Sequence, residues 1–206
     1  MRILCVFAHP DDMEVHCGGT VALFSDDAEV VSVIMTRGHR AGHHHIRERE
    51  AREGAEILGV DEVMFLNRVD GKVRVEPEAV DAIREVVEDL RPDLVFTHTL
   101  RDTHQDHRNT HKIVVSALSK RPRVSVLAGE GPSTTPEFSP TVFFDVSETI
   151  EEKLKAVEAH ESQVRRGAIS REDVIKTAAY RGMQFGVEYA EAFEAVRIDG
   201  TTLLLP

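Results

Sequence analysis

The sequence predicts an α/β fold of three layers, with a mostly parallel sheet and helices on both of its faces. Two observations lead there. Short β-branched runs recur along the chain, at Ile3 to Phe7, Val30 to Met35, Val63 to Leu66 and Leu94 to Thr97. Between them lie stretches with the length and pattern of helices rather than tight hairpin turns. A β-α-β-α-β-α-β order implies right-handed crossovers and a parallel sheet. Ligands of such a sheet belong at the carboxyl ends of its strands.

The elements follow in order. His9, Asp11 and Asp12 cut the opening apolar run short, so it reads as a buried first strand rather than a leader. A helix starts after Asp12 and runs towards Phe24, and a second covers Ile46 to Leu58 with Gly59 as its C-cap. A third begins after Pro77 and carries Val80, Ile83, Val86, Val87 and Leu90 on one face. A further helix contains Ile113, Val114, Val115 and Leu118. After the apolar run Val124 to Leu127, the segment from Gly129 to Pro136 is dense in turn residues and reads as a surface excursion, either a plain connection or a lid. A strand near Thr141 to Val146, a helix near Glu151 to His160 and a Gly-punctuated segment through Tyr189 to Phe193 complete the chain, without an internal repeat. A single domain over residues 1–206 is the expected organisation.

With 41% hydrophobic and 30% charged residues and no long uncharged apolar run, the chain reads as a globular protein without a membrane span. A formal net charge of −11 disfavours nucleic acid and anionic lipid, which need a positive surface. A small molecule, neutral or drawn by a local basic group, fits better. Two cysteines, Cys5 and Cys17, cannot make a disulfide framework, so the reducing cytoplasm is the expected compartment.

Two constellations carry chemistry. His9-Pro10-Asp11-Asp12 follows the first strand directly, and its two adjacent carboxylates repel one another unless a cation or helix N–H groups absorb the charge. N-capping explains one aspartate but not the histidine. His104-Gln105-Asp106-His107, with His111, opens on the same sheet edge; His107 and His111 share a helical face that His104 joins if the helix includes it. Thr103 and Asp106 also have the spacing of a capping pair. Mixed histidine and carboxylate donors suit Zn²⁺, and a catalytic zinc keeps three protein ligands and an open position. Composition alone does not say which three. His39, His43, His44 and His45 read as a polar loop, His98 and His160 as pocket or packing residues, and Tyr189 as a core tyrosine.

Ala8-His9-Pro10-Asp11-Asp12-Met13-Glu14, followed by Cys17-Gly18-Gly19-Thr20, resembles the opening motif of the PIG-L/LmbE deacetylase family, and His104-Gln105-Asp106-His107 resembles its second motif. The likeness continues through Arg47 and Glu50, Arg91-Pro92-Asp93, His160-Glu161-Ser162-Gln163 and Gly186 to Phe193; the C-terminal stretches look most like the deacetylases of bacillithiol synthesis. Met13, and Arg40 to His45, depart from the pattern. The resemblance implies a Rossmann-like fold and one Zn²⁺ per chain, held by His9, Asp12 and His107. It implies that Asp11 takes a proton from water, that protonated His104 stabilises the oxyanion, and that Arg47 contacts substrate unless it is only a solvated helix charge. Asp106 would orient the His104 ring or cap the helix. The implied substrate is a small N-acetylglucosamine-type conjugate, and a homo-oligomer is possible. Two other readings stay open: a metal-dependent hydrolase of another bond, such as a phosphoester, and a non-catalytic zinc or nucleotide-binding module that uses Cys17 to Thr20.

Overall fold

The computed structural model describes residues 1–200. Its strands are β1 (Arg2–Phe7), β2 (Glu29–Thr36), β3 (Glu62–Arg68), β4 (Leu94–His98), β5 (Ser125–Gly129), β6 (Val142–Asp145) and β7 (Ala190–Arg197). The helices are α1 (Asp12–Phe24), α2 (His44–Ile57), α3 (Pro77–Leu90), α4 (Gln105–Ala117), α5 (Ile150–Ala159), α6 (Glu161–Val164) and α7 (Arg171–Phe185). They surround one sheet of order β3-β2-β1-β4-β5-β7-β6. The first five strands in this order pair in parallel, while β7 runs antiparallel to both β5 and β6.

The central strands β1, β2, β4 and β5 are mostly apolar and buried because both faces are covered. Leu4 and Val6 point to one side, with Val31, Val33 and Met35, and pack on Ile83 and Val87 of α3 and Ile113 and Val114 of α4. Ile3, Cys5 and Phe7 point to the other, against Met13, Cys17 and Val21 of α1, Ala55 and Leu58 at α2, and Ala156 of α5. Each fully buried Val, Leu, Ile, Phe or Met among them contributes about 1.5–3 kcal/mol by leaving water. Among the described residues no helix is long and apolar enough to cross a membrane.

Two elements differ from the sequence reading. Helix α7, capped by the Ser170 side chain on the Asp173 N–H, buries only Val174, Ala178 and Gly182 and carries little periodic signal. The segment through Tyr189 to Phe193 leads into strand β7.

Helix α1 breaks at Cys17, whose φ of −145° and ψ of 16° are not helical. At this break the Gly19 N–H and the Val15 carbonyl take side-chain partners. Glu191 accepts from the Gly19 N–H (2.9 Å), the Thr20 N–H (2.8 Å) and the Thr20 hydroxyl (2.5 Å), while Lys153 donates to the Val15 carbonyl (2.7 Å) and to Glu191 (2.5 Å). Gly19 is needed for close approach, since a Cβ there would stand 2.9 Å from Val146 Cβ. The Cys17-Gly18-Gly19-Thr20 motif is therefore a packing joint held by Glu191, which removes the basis for a ligand site at those residues.

Candidate metal centre and active site

Strand order reverses between β1 and β4, and in a doubly wound sheet the crevice beyond that point is the natural ligand site. His9 and Asp12 follow the end of β1, and His98 ends β4 ahead of Asp102, His104 and His107. The turn after β3 brings Asp70, and the segment after β5 brings Ser133.

Asp102 accepts from His107 Nδ1 (2.8 Å), the His104 N–H (2.7 Å) and the Ser133 hydroxyl (2.7 Å). These donors, led by His107, outweigh burial and hold its carboxyl well below the usual range. A carboxylate only accepts, so the His107 proton sits on Nδ1 and Nε2 is a bare lone pair. That Nε2 lies 3.2 Å from His9 Nδ1 and 3.5 Å from Asp12 Oδ1, and Asp12 Oδ2 lies 3.2 Å from His9 Nδ1. Asp12 is pinned by the His9 backbone N–H (2.7 Å).

Three side chains thus converge: the two ring nitrogens stand 3.2 Å apart, and each faces a different oxygen of Asp12, at 3.2 Å for His9 and 3.5 Å for His107. Ligands about 2.0–2.2 Å from a tetrahedral zinc stand about 3.4 Å from one another, so the spacing matches a shared cation. Without one, lone pairs and a carboxylate face each other in a buried place. Accordingly, burial works against a charged His9 ring, but Asp12, Asp106 and Asp70 overcome it and raise its pKa well above the imidazole value. Burial likewise opposes ionisation of Asp12, but His107, His98 and His9 hold its pKa well below the usual value. Three sets that share a histidine with this trio, His9 with His104 and His107, His16 with His98 and His107, and His9 with Asp70 and Asp106, have one donor atom from each residue within 4.8 Å of the others.

The family described as PIG-L, GlcNAc-PI de-N-acetylase, matches residues 4–118, which is more than half of the chain. The chain belongs to this family. PIG-L relatives are similar over most of its length. The diacetylchitobiose deacetylase of Thermococcus kodakarensis is 29% identical, covering 95% of this chain and 83% of the relative. The uncharacterized deacetylase YaiS of Escherichia coli is 31% identical, covering 78% and 90%. Among solved structures, the conserved protein TT1542 of Thermus thermophilus is 29% identical with a TM-score of 0.80, covering 94% of each chain.

Against this PIG-L frame, several sequence expectations take a different form. His104 does not lie within the helix but caps it, accepting the Asp106 N–H on Nδ1 (3.2 Å), so Thr103 is not the cap. It is the Asp106 backbone that orients the His104 ring; the Asp106 carboxylate accepts from the Gly71 N–H (2.7 Å) and the Val73 N–H (3.1 Å). His104 Nδ1, as an acceptor, carries no proton, and burial, His107 and His9 lower the pKa of this imidazole. Arg47, expected as a substrate contact or a solvated charge, is 3% exposed and donates to Asp11 (2.7 Å) and the Gly38 carbonyl (3.3 Å). Neither Asp11 nor Asp12 caps α1 through its side chain. His111 donates to the His98 carbonyl (2.7 Å) and stays out of the converging trio. The Gly129 to Pro136 segment is tied to the site: the Thr103 N–H donates to the Ser133 carbonyl (2.9 Å) and the Thr135 N–H to the Arg101 carbonyl (2.7 Å).

Asp70 and Asp102 escaped the sequence reading, and their position just past strand ends is the signal that could have found them. Outer partners of ligating histidines typically matter 10- to 100-fold for metal affinity. Asp102→Asn is therefore expected to weaken zinc binding by about 10- to 100-fold, measured by chelator competition; unchanged affinity would remove His107 from the ligand set.

Proposed function

We propose that this chain is a zinc-dependent N-deacetylase that hydrolyses the acetamide of an N-acetylglucosamine-type conjugate to acetate and a free amine, with one zinc per chain held by His9, Asp12 and His107. The observation that carries this reading is the convergence of those three donors beside Asp11, a carboxylate outside the trio. Zinc bound there supplies Lewis acidity, lowering the pKa of a water from about 15.7 towards about 7 and polarising the amide carbonyl.

The residues of the chain do the rest. Arg47 holds Asp11 Oδ1 (2.7 Å) and fixes the carboxylate's direction, leaving its other oxygen to take the proton of the attacking water. His104 accepts the Asp106 N–H on Nδ1, so its own proton sits on Nε2. It donates that Nε2–H to the oxygen on which charge develops, acting as a neutral hydrogen-bond donor. Asp11 then returns its proton to the departing amine.

Losing one oxyanion donor costs about 10²–10³ in turnover, so His104→Ala is expected to keep its zinc and lose activity by that factor. Steady-state rates together with metal content check this, and full turnover would remove the role. The phosphoesterase reading needs a second metal, yet among the described residues each further donor set shares His9 or His107 with the trio. Equal amounts of acetate and free amine from N-acetylglucosamine conjugates support deacetylation; phosphate from phosphoesters, with no acetate, overturns it.

We further read residues 1–206 as one deacetylase domain working in the cytoplasm on a small molecule. The buried free thiols of Cys5 and Cys17 support a reducing compartment, and exposed Tyr180, Met183 and Phe185 on α7 support self-association.

A further inference from the structure

The two proposed histidine ligands are held in opposite senses. His107 offers Nε2 because Asp102 occupies Nδ1, whereas His9 offers Nδ1, so something has to occupy His9 Nε2. Two carboxylates face it. Asp70 Oδ1 lies 3.4 Å from His9 Nε2, and Asp106 Oδ2 lies 3.6 Å from it, all three side chains being at most one-tenth exposed. We propose that Asp70 and Asp106 are the positioning pair of His9: together they fix its proton on Nε2 and turn the Nδ1 lone pair towards Asp12 and His107. The inference rests on the zinc reading above and adds to it residues that set the tautomer and ring orientation of one ligand.

Both carboxylates are built in place. Asp106, in the first turn of α4, accepts the Gly71 N–H on Oδ2 (2.7 Å) and the Val73 N–H on Oδ1 (3.1 Å), so its plane is set before His9 is considered. Asp70 accepts the Arg40 N–H on Oδ2 (2.7 Å) and keeps Oδ1 for His9. Burial raises the Asp70 carboxyl, but His9 and the Arg40 N–H outweigh it and bring its pKa to about 2. The turn that carries Asp70 is clamped in its own right: Gln105 donates to the Gly71 carbonyl (2.5 Å), and Gly71 has a φ of +75° with the Arg40 guanidinium packed where a Cβ would stand.

With its proton on Nε2, His9 presents an N–H towards Asp70 and Asp106, and the two carboxylates place negative charge beside the ring that faces the proposed zinc position. Such carboxylates orient a ligating imidazole and raise its basicity. Asp70 also joins His9 to the His39–Ala41 turn through the Arg40 N–H, so the rim of the site and the metal ligand share one carboxylate.

Asp70→Asn is the discriminating variant. Its amide oxygen still accepts the Arg40 N–H, so a merely structural Asp70 leaves zinc affinity unchanged. A positioning role lowers zinc affinity by about 10- to 100-fold in chelator competition, with the thermal midpoint of the metal-free protein unmoved. Nitrogen-15 spectra of the zinc-loaded wild type give a second readout: the proposal requires His9 to carry its proton on Nε2, and a proton on Nδ1 overturns it. Wild-type zinc uptake with an equally tight Asp70→Asn variant removes this proposal alone. Failure of the wild type to take up zinc removes the zinc reading and the proposal with it.

Discussion

Asp11→Asn leaves zinc bound and lowers turnover by about 10²–10⁴, the range that a positioned general base supplies. The amide keeps the size and shape of the carboxylate, and its oxygen still accepts from Arg47 Nη2, so the start of α1 has no reason to move. What it loses is the ability to take a proton, because an amide offers only a weakly basic oxygen and an NH₂ donor. Metal content is expected to stay at the wild-type level, since the trio of His9, Asp12 and His107 makes no use of Asp11. Loss of zinc in this variant would make Asp11 a ligand. Wild-type turnover would end its role as base. Metal analysis and initial rates on one preparation separate the two.

Glu191→Ala destabilises the fold by about 3–5 kcal/mol, the cost of removing one partner from a buried ion pair. The Lys153 ammonium is 4% exposed at its side chain and loses the Glu191 carboxylate it pairs with, while the Gly19 and Thr20 N–H groups at the break in α1 lose their acceptor. Replacement by Gln is milder, because an amide oxygen still accepts, but it leaves the ammonium without a counter-charge. Denaturant unfolding checks the expectation: a shift below about 1 kcal/mol would mean that water reaches Lys153 and that the pair is worth no more than a surface bridge.

What could be read from the sequence was what lies close together along it. His9 to Asp12 and His104 to His107 are contiguous, each follows a recognisable strand, and the parallel topology brings their ends to one crevice. Four of the five parallel strands were legible from their short β-branched runs, and the fifth, β5, showed only as the apolar run Val124 to Leu127. Asp70 was not legible, since an Asp-Gly pair after a strand looks like any turn until the fold brings His9 to it. Arg47 looked like a solvated helix charge or a substrate contact, and only the packing of α2 against the start of α1 shows that it serves Asp11. The N-cap role of His104 was hidden because Thr103 offered the commoner capping residue, while the Thr103 N–H and hydroxyl are spent on the Ser133 carbonyl. Strand β7 was obscured by Glu191, whose charge makes sense only beside Lys153 and the broken turn of α1.

The most direct measurement is a zinc titration of chelator-stripped protein with acetate release followed from an N-acetylglucosamine conjugate. The account predicts no release without metal, a linear return of activity as zinc is added, and saturation at one zinc per chain. Undiminished acetate release by the stripped protein, or saturation only at two zinc ions per chain, would contradict it.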